Sequence, residues 1–193
     1  MSVRLLLTLF VSTLSLALPA WADFEAGMKA YIQENYATAV QEWQPLAEQG
    51  EANAQYNLGI LYHKGRGVTQ DDVQARNWYA KAAAQGLAKA QFSLGTLYFN
   101  GEGGPKDYKQ ALHWFHLASD QGEALAQTKI GIMYDDGEGV PKDKVQAYKW
   151  FTLAAMNGDK PAPMLRSLLA KEMTPEQIAK AEKLAKEWKP KGK

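Results

Sequence analysis

His113 and His116 stand at i and i+3, a spacing that puts both imidazoles on one face of a helix. Two histidines can begin a zinc site, but the third protein ligand such a site needs is missing. Asp135-Asp136-Gly137-Glu138-Gly139 is acidic enough to attract a cation, yet it lacks the alternating ligand spacing of a calcium loop. Gly101-Glu102-Gly103-Gly104 is glycine-rich, but it completes no phosphate-binding fingerprint and follows no strand. The nucleophile and metalloprotease motifs Gly-x-Ser-x-Gly, Ser-x-x-Lys and His-Glu-x-x-His do not occur. With no cysteine there is no thiolate ligand, no cysteine nucleophile and no disulfide. The expectation is a chain with no catalytic residue, no cofactor and no metal.

The 193 residues carry 22 Lys+Arg against 21 Asp+Glu, and 46% are hydrophobic. That balance argues against a nucleic-acid partner, which calls for a clear basic excess. It also argues against a disordered chain. The length allows one or two domains and a sizeable core.

Residues 1–22 read as a secretory signal. Arg4 supplies the positive start, Leu5 to Leu18 the apolar run, and Pro19 its end. Ala20-Trp21-Ala22 gives the small-x-small pattern before a cut, so cleavage is expected after Ala22. The apolar run is short for a bilayer span, which needs roughly 20 residues. Cleavage would remove Arg4 and no acid, leaving equal numbers of acidic and basic residues. The expected product is soluble, periplasmic or secreted, with no stable membrane anchor.

The rest of the chain repeats itself. Residues 52–87, 88–123 and 124–159 align without a gap at a spacing of 36. The first half of each block shares Ala54/Ala90/Ala126, Gln55/Gln91/Gln127, Leu58/Leu94/Ile130, Gly59/Gly95/Gly131 and Tyr62/Tyr98/Tyr134. Gly65/Gly101/Gly137 and Gly67/Gly103/Gly139 follow, then Ala75/Ala111/Ala147, Trp78/Trp114/Trp150, Tyr79/Phe115/Phe151 and Ala82/Ala118/Ala154. Positions 54, 58, 61 and 62 form one helical stripe. Gly59 beside it costs about 1 kcal/mol against Ala in a helix, which suggests a place where another helix comes close. Gly65 and Gly67 suit left-handed turn positions. Asp71-x-x-Gln74, Asp107-x-x-Gln110 and Asp143-x-x-Gln146 have capping-box spacing and open a second helix. Trp78, Trp114 and Trp150, each between small residues, are expected to be buried knobs. His113 and His116 align with Asn77 and Ala80 and with Lys149 and Thr152, so they are expected on a solvated face. The acidic turn at Asp135 aligns with His63-Lys64-Gly65-Arg66-Gly67, so it is the glycines that the turn requires.

One helix pair cannot bury its own apolar stripe, but stacked pairs can. The expected fold is all-α, a right-handed superhelical α-solenoid of antiparallel helix pairs. Residues 23–51 form a shortened first unit and residues 160–193 a helical cap with a basic tail. Thr174-Pro175-Glu176-Gln177 opens the last helix.

The pattern Ala-x-Ala-Gln-x-x-Leu-Gly-x-x-Tyr-x-x-Gly-x-Gly, followed by Ala-x-x-Trp-Tyr/Phe-x-x-Ala-Ala-x-x-Gly, resembles the Sel-one-like repeat, a relative of the tetratricopeptide repeat. The resemblance implies an adaptor or scaffold that holds another protein, and an envelope role in signalling, assembly or host contact. The middle copy departs at Gly104, which replaces Val68/Val140, and at Lys109, which replaces Val73/Val145; looser packing is expected there.

First-helix positions that vary between copies trace a second stripe, opposite the core one. It includes Tyr56, Asn57, Ile60 and His63, then Lys89, Phe92, Thr96 and Phe99, then Lys129, Ile132, Asp135 and Asp136. If first helices line the inner curve, this is a groove for a protein or peptide, basic at one end and acidic at the other. The other reading is that these apolar residues pack against the next repeat. At the level of the whole chain, a non-enzymatic binding protein stands against a plain spacer and against the hydrolase of cell-wall or β-lactam-type substrates that the resemblance to exported members of the family implies.

Overall fold

Two local signals set where the chain turns: a left-handed glycine ends each first helix of a repeat, and an aspartate opens each second one. The computed structural model describes residues 23–191. Its helices are α1 (Phe24–Ile32), α2 (Tyr36–Glu48), α3 (Ala52–Lys64), α4 (Asp72–Ala84), α5 (Ala88–Asn100), α6 (Tyr108–Asp120), α7 (Ala124–Asp136), α8 (Lys144–Met156), α9 (Ala162–Ala170) and α10 (Pro175–Glu187). No strand occurs among the described residues. From α1 to α9 each helix packs on the next, and α8 also receives α10. This serial contact is the α-solenoid that the repeats imply. The proposed signal, residues 1–22, lies outside the described residues. Among those described, no helix is long and apolar enough to cross a membrane.

Gly65, Gly101 and Gly137 have φ of 62°, 77° and 76°, and their amides return to the carbonyls of Leu61, Leu97 and Met133. The Asp71, Asp107 and Asp143 carboxylates each accept two amides of the following turn at 2.9–3.0 Å. These helices carry the aspartate half of the capping box. The full reciprocal box forms in α10, between Thr174 and Gln177.

The helical glycines have the tightest surroundings. A Cβ at Gly59, Gly95 or Gly131 would come within 2.5, 2.7 and 2.6 Å of the rings of Tyr79, Phe115 and Phe151. Those rings are buried. The shortened first unit repeats the device with Gly27 under the Trp43 indole, whose Nε1 donates to the Phe24 carbonyl at 3.2 Å.

A polar seam joins successive pairs. Gln55 Nε2 donates to the Ala47 carbonyl, and Gln85 Nε2 donates to Gln55 Oε1 and the Gly50 carbonyl. One repeat on, Gln91 Nε2 reaches the Ala83 carbonyl, and Gln121 Nε2 reaches Gln91 Oε1 and the Gly86 carbonyl. At the third junction Asn157 Nδ2 still donates to Gln127 Oε1, but Gln127 Nε2 and the Ser119 hydroxyl find no partner among the described residues. A buried Thr128–Asp159 hydrogen bond of 2.5 Å joins α7 to the start of the α9 segment instead.

Two expectations need correction. Trp78 and Trp150 are buried, but Trp114 is only half-buried; the sealed ring of the middle copy is Phe115, at 0% exposure. Trp150 has the His116 and Trp188 rings against it and Trp78 has the Lys81 ammonium at 3.9 Å, whereas the ring against Trp114 is the exposed His113. The loop at Gly104 is not loose either. The Arg76 guanidinium fills the space a side chain would take there and stacks on Tyr98 at 3.7 Å. Val73, the counterpart of Lys109, is 55% exposed, so little packing is lost by that exchange.

Phe115→Ala is expected to cost about 3–5 kcal/mol in urea unfolding, and Trp114→Ala clearly less. Equal losses would contradict the observed burial order. Gly95→Ala is expected to destabilise by about 1–3 kcal/mol through overpacking, even though Ala is the better helix former.

Candidate functional site

The variable stripe lies on α3, α5 and α7, the first helices of the three repeats. It is a mixed surface. Lys89 and Asp136 are exposed, while Tyr56, Asn57, Ile60, His63, Phe92, Thr96, Phe99, Lys129, Ile132 and Asp135 are half-buried. The apolar members touch their own repeat as well as the outside. Tyr56 lies 5.7 Å from the Tyr79 ring and Phe92 5.8 Å from Phe115, while Phe99 meets Tyr108 edge-on at 5.3 Å. Ile60 and Ile132 pack on the clusters around Leu94 and Phe151. Each ring or branch therefore has an inner side in the core and an outer side in solvent.

Neighbouring helices bring these residues together. The Ser93 side chain stands beside the Tyr56 phenol, and Lys129 Nζ sits 5.2 Å over the Phe99 ring. His63, Phe92, Ser93 and Thr96, with Tyr79 and Leu97 beneath, line a cleft of about 100 Å³ between α3 and α5. Burial pushes the Tyr56 phenol above its usual range, so it stays a neutral hydrogen-bonding group. Asn57 Nδ2 faces the Met28 sulfur at 3.7 Å, and the Thr96 hydroxyl donates to the Phe92 carbonyl at 3.0 Å.

The ends of the stripe are less polarised than the sequence suggests. His63 Nδ1 lies 2.7 Å from Asp72, contributed by the second helix. Burial and Asp136 raise the Asp135 pKa, but Lys142 and Lys144 line the same cleft and Lys144 pairs with Glu172 at 2.8 Å. The sequence stripe could not include those partners because they come from the loop, α8 and the segment after α9. No group of three or more potential metal ligands converges among the described residues.

His113 and His116 have different surroundings. His113 is exposed and edge-on to Trp114 at 5.2 Å. His116 is not on a solvated face. It is half-buried, edge-on to Trp150 at 5.3 Å, because Trp188 after α10 closes over that side of α8. Burial holds its pKa below the ordinary 6.5, with Lys149, Lys191 and His113 acting in the same direction and Asp120 opposing them.

Comparison with known proteins gives a consistent picture. The Sel1 repeat family model matches residues 52–87, 88–123 and 124–159. A Sel1 repeat protein from Oxalobacter formigenes superposes with a TM-score of 0.72 at 32% identity, over 84% of this chain and 69% of that one. A protective antigen of uropathogenic Escherichia coli with an SLR fold gives a TM-score of 0.54 at 31% identity, over 85% of this chain and 45% of that one. An exopolysaccharide production negative regulator from Rhizobium leguminosarum bv. viciae is 37% identical over 60 residues, which is 31% of this chain and 22% of that protein.

The low pKa of His116 has a thermodynamic sign. The unfolded imidazole takes its proton first, so the stability from keeping it neutral is full above about pH 6.5 and declines as pH falls through the folded value. His116→Phe is expected to flatten the pH dependence of Tm between about pH 7 and about pH 5. An unchanged profile would show that His116 is not the titrating group.

Proposed function

Because the chain belongs to the Sel1 repeat family, whose members mediate protein–protein contact, we propose that it is an exported adaptor that holds a protein or peptide on the stripe of α3, α5 and α7. The observation that carries this reading is continuity. Tyr56 touches Ser93 and Phe99 touches Lys129, so variable residues of three repeats join into one surface of half-buried aromatics among polar groups. Such rings serve as anchors, because their inner sides are already fixed and only their outer sides must be desolvated. An extended or helical segment suits a surface of this shape.

Export is supported by the residue pattern of 1–22, and it places the adaptor in the periplasm or outside the cell. The work would then belong to the envelope: signalling, assembly or host contact. The Rhizobium regulator and the E. coli antigen make these settings reasonable, though each is matched over less than half of its own length.

Charge reversal at the two exposed members tests the stripe without disturbing the core. Lys89→Glu with Asp136→Lys is expected to lose a partner crosslinked to the wild-type protein, while Lys109→Glu on α6 keeps it. Loss through Lys109→Glu alone, with the stripe variant unaffected, would move the interface to the other face. Cell fractionation with N-terminal sequencing checks the export step. The expected product starts at Asp23, and a cytoplasmic product retaining Met1 would contradict export.

A further inference from the structure

A cleft lined by aromatic and cationic side chains belongs to the second helices and is not used by the stripe. It lies between α6, α8 and the residues after α10, and encloses about 510 Å³. That falls within the ~300–1,000 Å³ of small-molecule sites. Trp150, only 3% exposed, is its sealed floor. Of the rings that line the cleft, His116 and Trp188 are half-buried and edge-on to Trp150 at 5.3 and 5.8 Å, with His113 and Tyr134 beside them. Around them stand Lys149, Lys189 and Lys191 against one carboxylate, Asp120. Lys149 Nζ lies 4.4 Å over the Trp150 ring, and burial holds its pKa below the usual lysine value. An ammonium that has given up part of its water gains most from an incoming anion.

We propose that this cleft binds a carboxylate carried on a six-membered ring, with the ring against Trp188 and His116 and the carboxylate among Lys149, Lys189 and Lys191. The rings supply a flat surface that takes a C–H face or an aromatic face equally. The lysines supply the charge, and Asp120 and the two imidazoles can accept from or donate to ring hydroxyls. Uronic acids of acidic glycans and aromatic carboxylates share this chemistry. The site is independent of the adaptor reading, since none of its residues belongs to the stripe.

The test follows the Trp188 indole N–H and His116 ring signals by NMR in the purified protein during titration with a galacturonic acid trimer, 4-hydroxybenzoate, maltotriose and acetate. Saturable shifts with one or both ring acids, and with neither maltotriose nor acetate, are expected; the acid that binds identifies the source. Lys149→Gln and the exposed Lys189→Gln should each weaken binding about tenfold, the weight of one charge-assisted hydrogen bond. Binding should tighten as pH falls below about 6.5 and His116 gains a proton while the carboxylate stays ionised. His113, Lys149 and Lys191 add to that positive field and Asp120 opposes it. Equal saturation by maltotriose or acetate, no saturation by either ring acid, or unaltered affinity in both lysine variants would overturn the proposal.

Discussion

The stack depends on an aromatic ring of each second helix seated on a glycine of the first. Gly59 under Tyr79, Gly95 under Phe115 and Gly131 under Phe151 leave no room for a methyl group. Glycine is a poor helix residue, so the backbone gives up roughly 1 kcal/mol at each of these sites. The return is a helix pair close enough for the ring to be fully removed from water, worth several times more for a side chain of that size. The same arrangement under Trp43 in the first unit, despite a shorter loop, shows that the interlock tolerates changes in the turn.

Once each pair is closed, the pairs hold one another through two kinds of contact. The conserved spacing of alanines lets helices of successive repeats approach, with Ala54, Ala90 and Ala126 all at 0% exposure. The glutamine seam gives the Ala47 and Ala83 carbonyls, at the ends of the second helices, a second donor from the next unit beside the backbone amides of Gly50 and Gly86. Stability in such a fold is the sum of what each repeat supplies and what it gains from its neighbours, so a weak junction is felt locally. The third junction, with Asn157 in place of a glutamine and two unpartnered polar atoms, has the weaker seam, and the Thr128–Asp159 bond offsets part of that loss.

Much of this is legible in the sequence because a repeat prints its own controls. Positions that recur mark what folding needs: the helical glycines, the left-handed turn glycines and the aspartate caps all appear where the spacing puts them. What was not readable came from contacts between units that no single repeat contains. Arg76 reaches across to fill the gap at Gly104, and Trp188 folds back on Trp150 and thereby shields His116. The seam has the same origin, because Gln55 and Gln85 reach the Ala47 and Gly50 carbonyls of the preceding unit. Trp114 misled for a related reason: its copies are sealed by neighbours that the middle unit does not have.

The most direct measurement is a double-mutant cycle on one interlock, Gly95→Ala with Phe115→Leu, followed by urea unfolding. If the ring on the glycine is the governing contact, the smaller leucine relieves the clash and the two changes are non-additive by about 0.5–3 kcal/mol. Additive losses would mean that Gly95 and Phe115 act separately, and the helix pairs would then owe their closeness to something else.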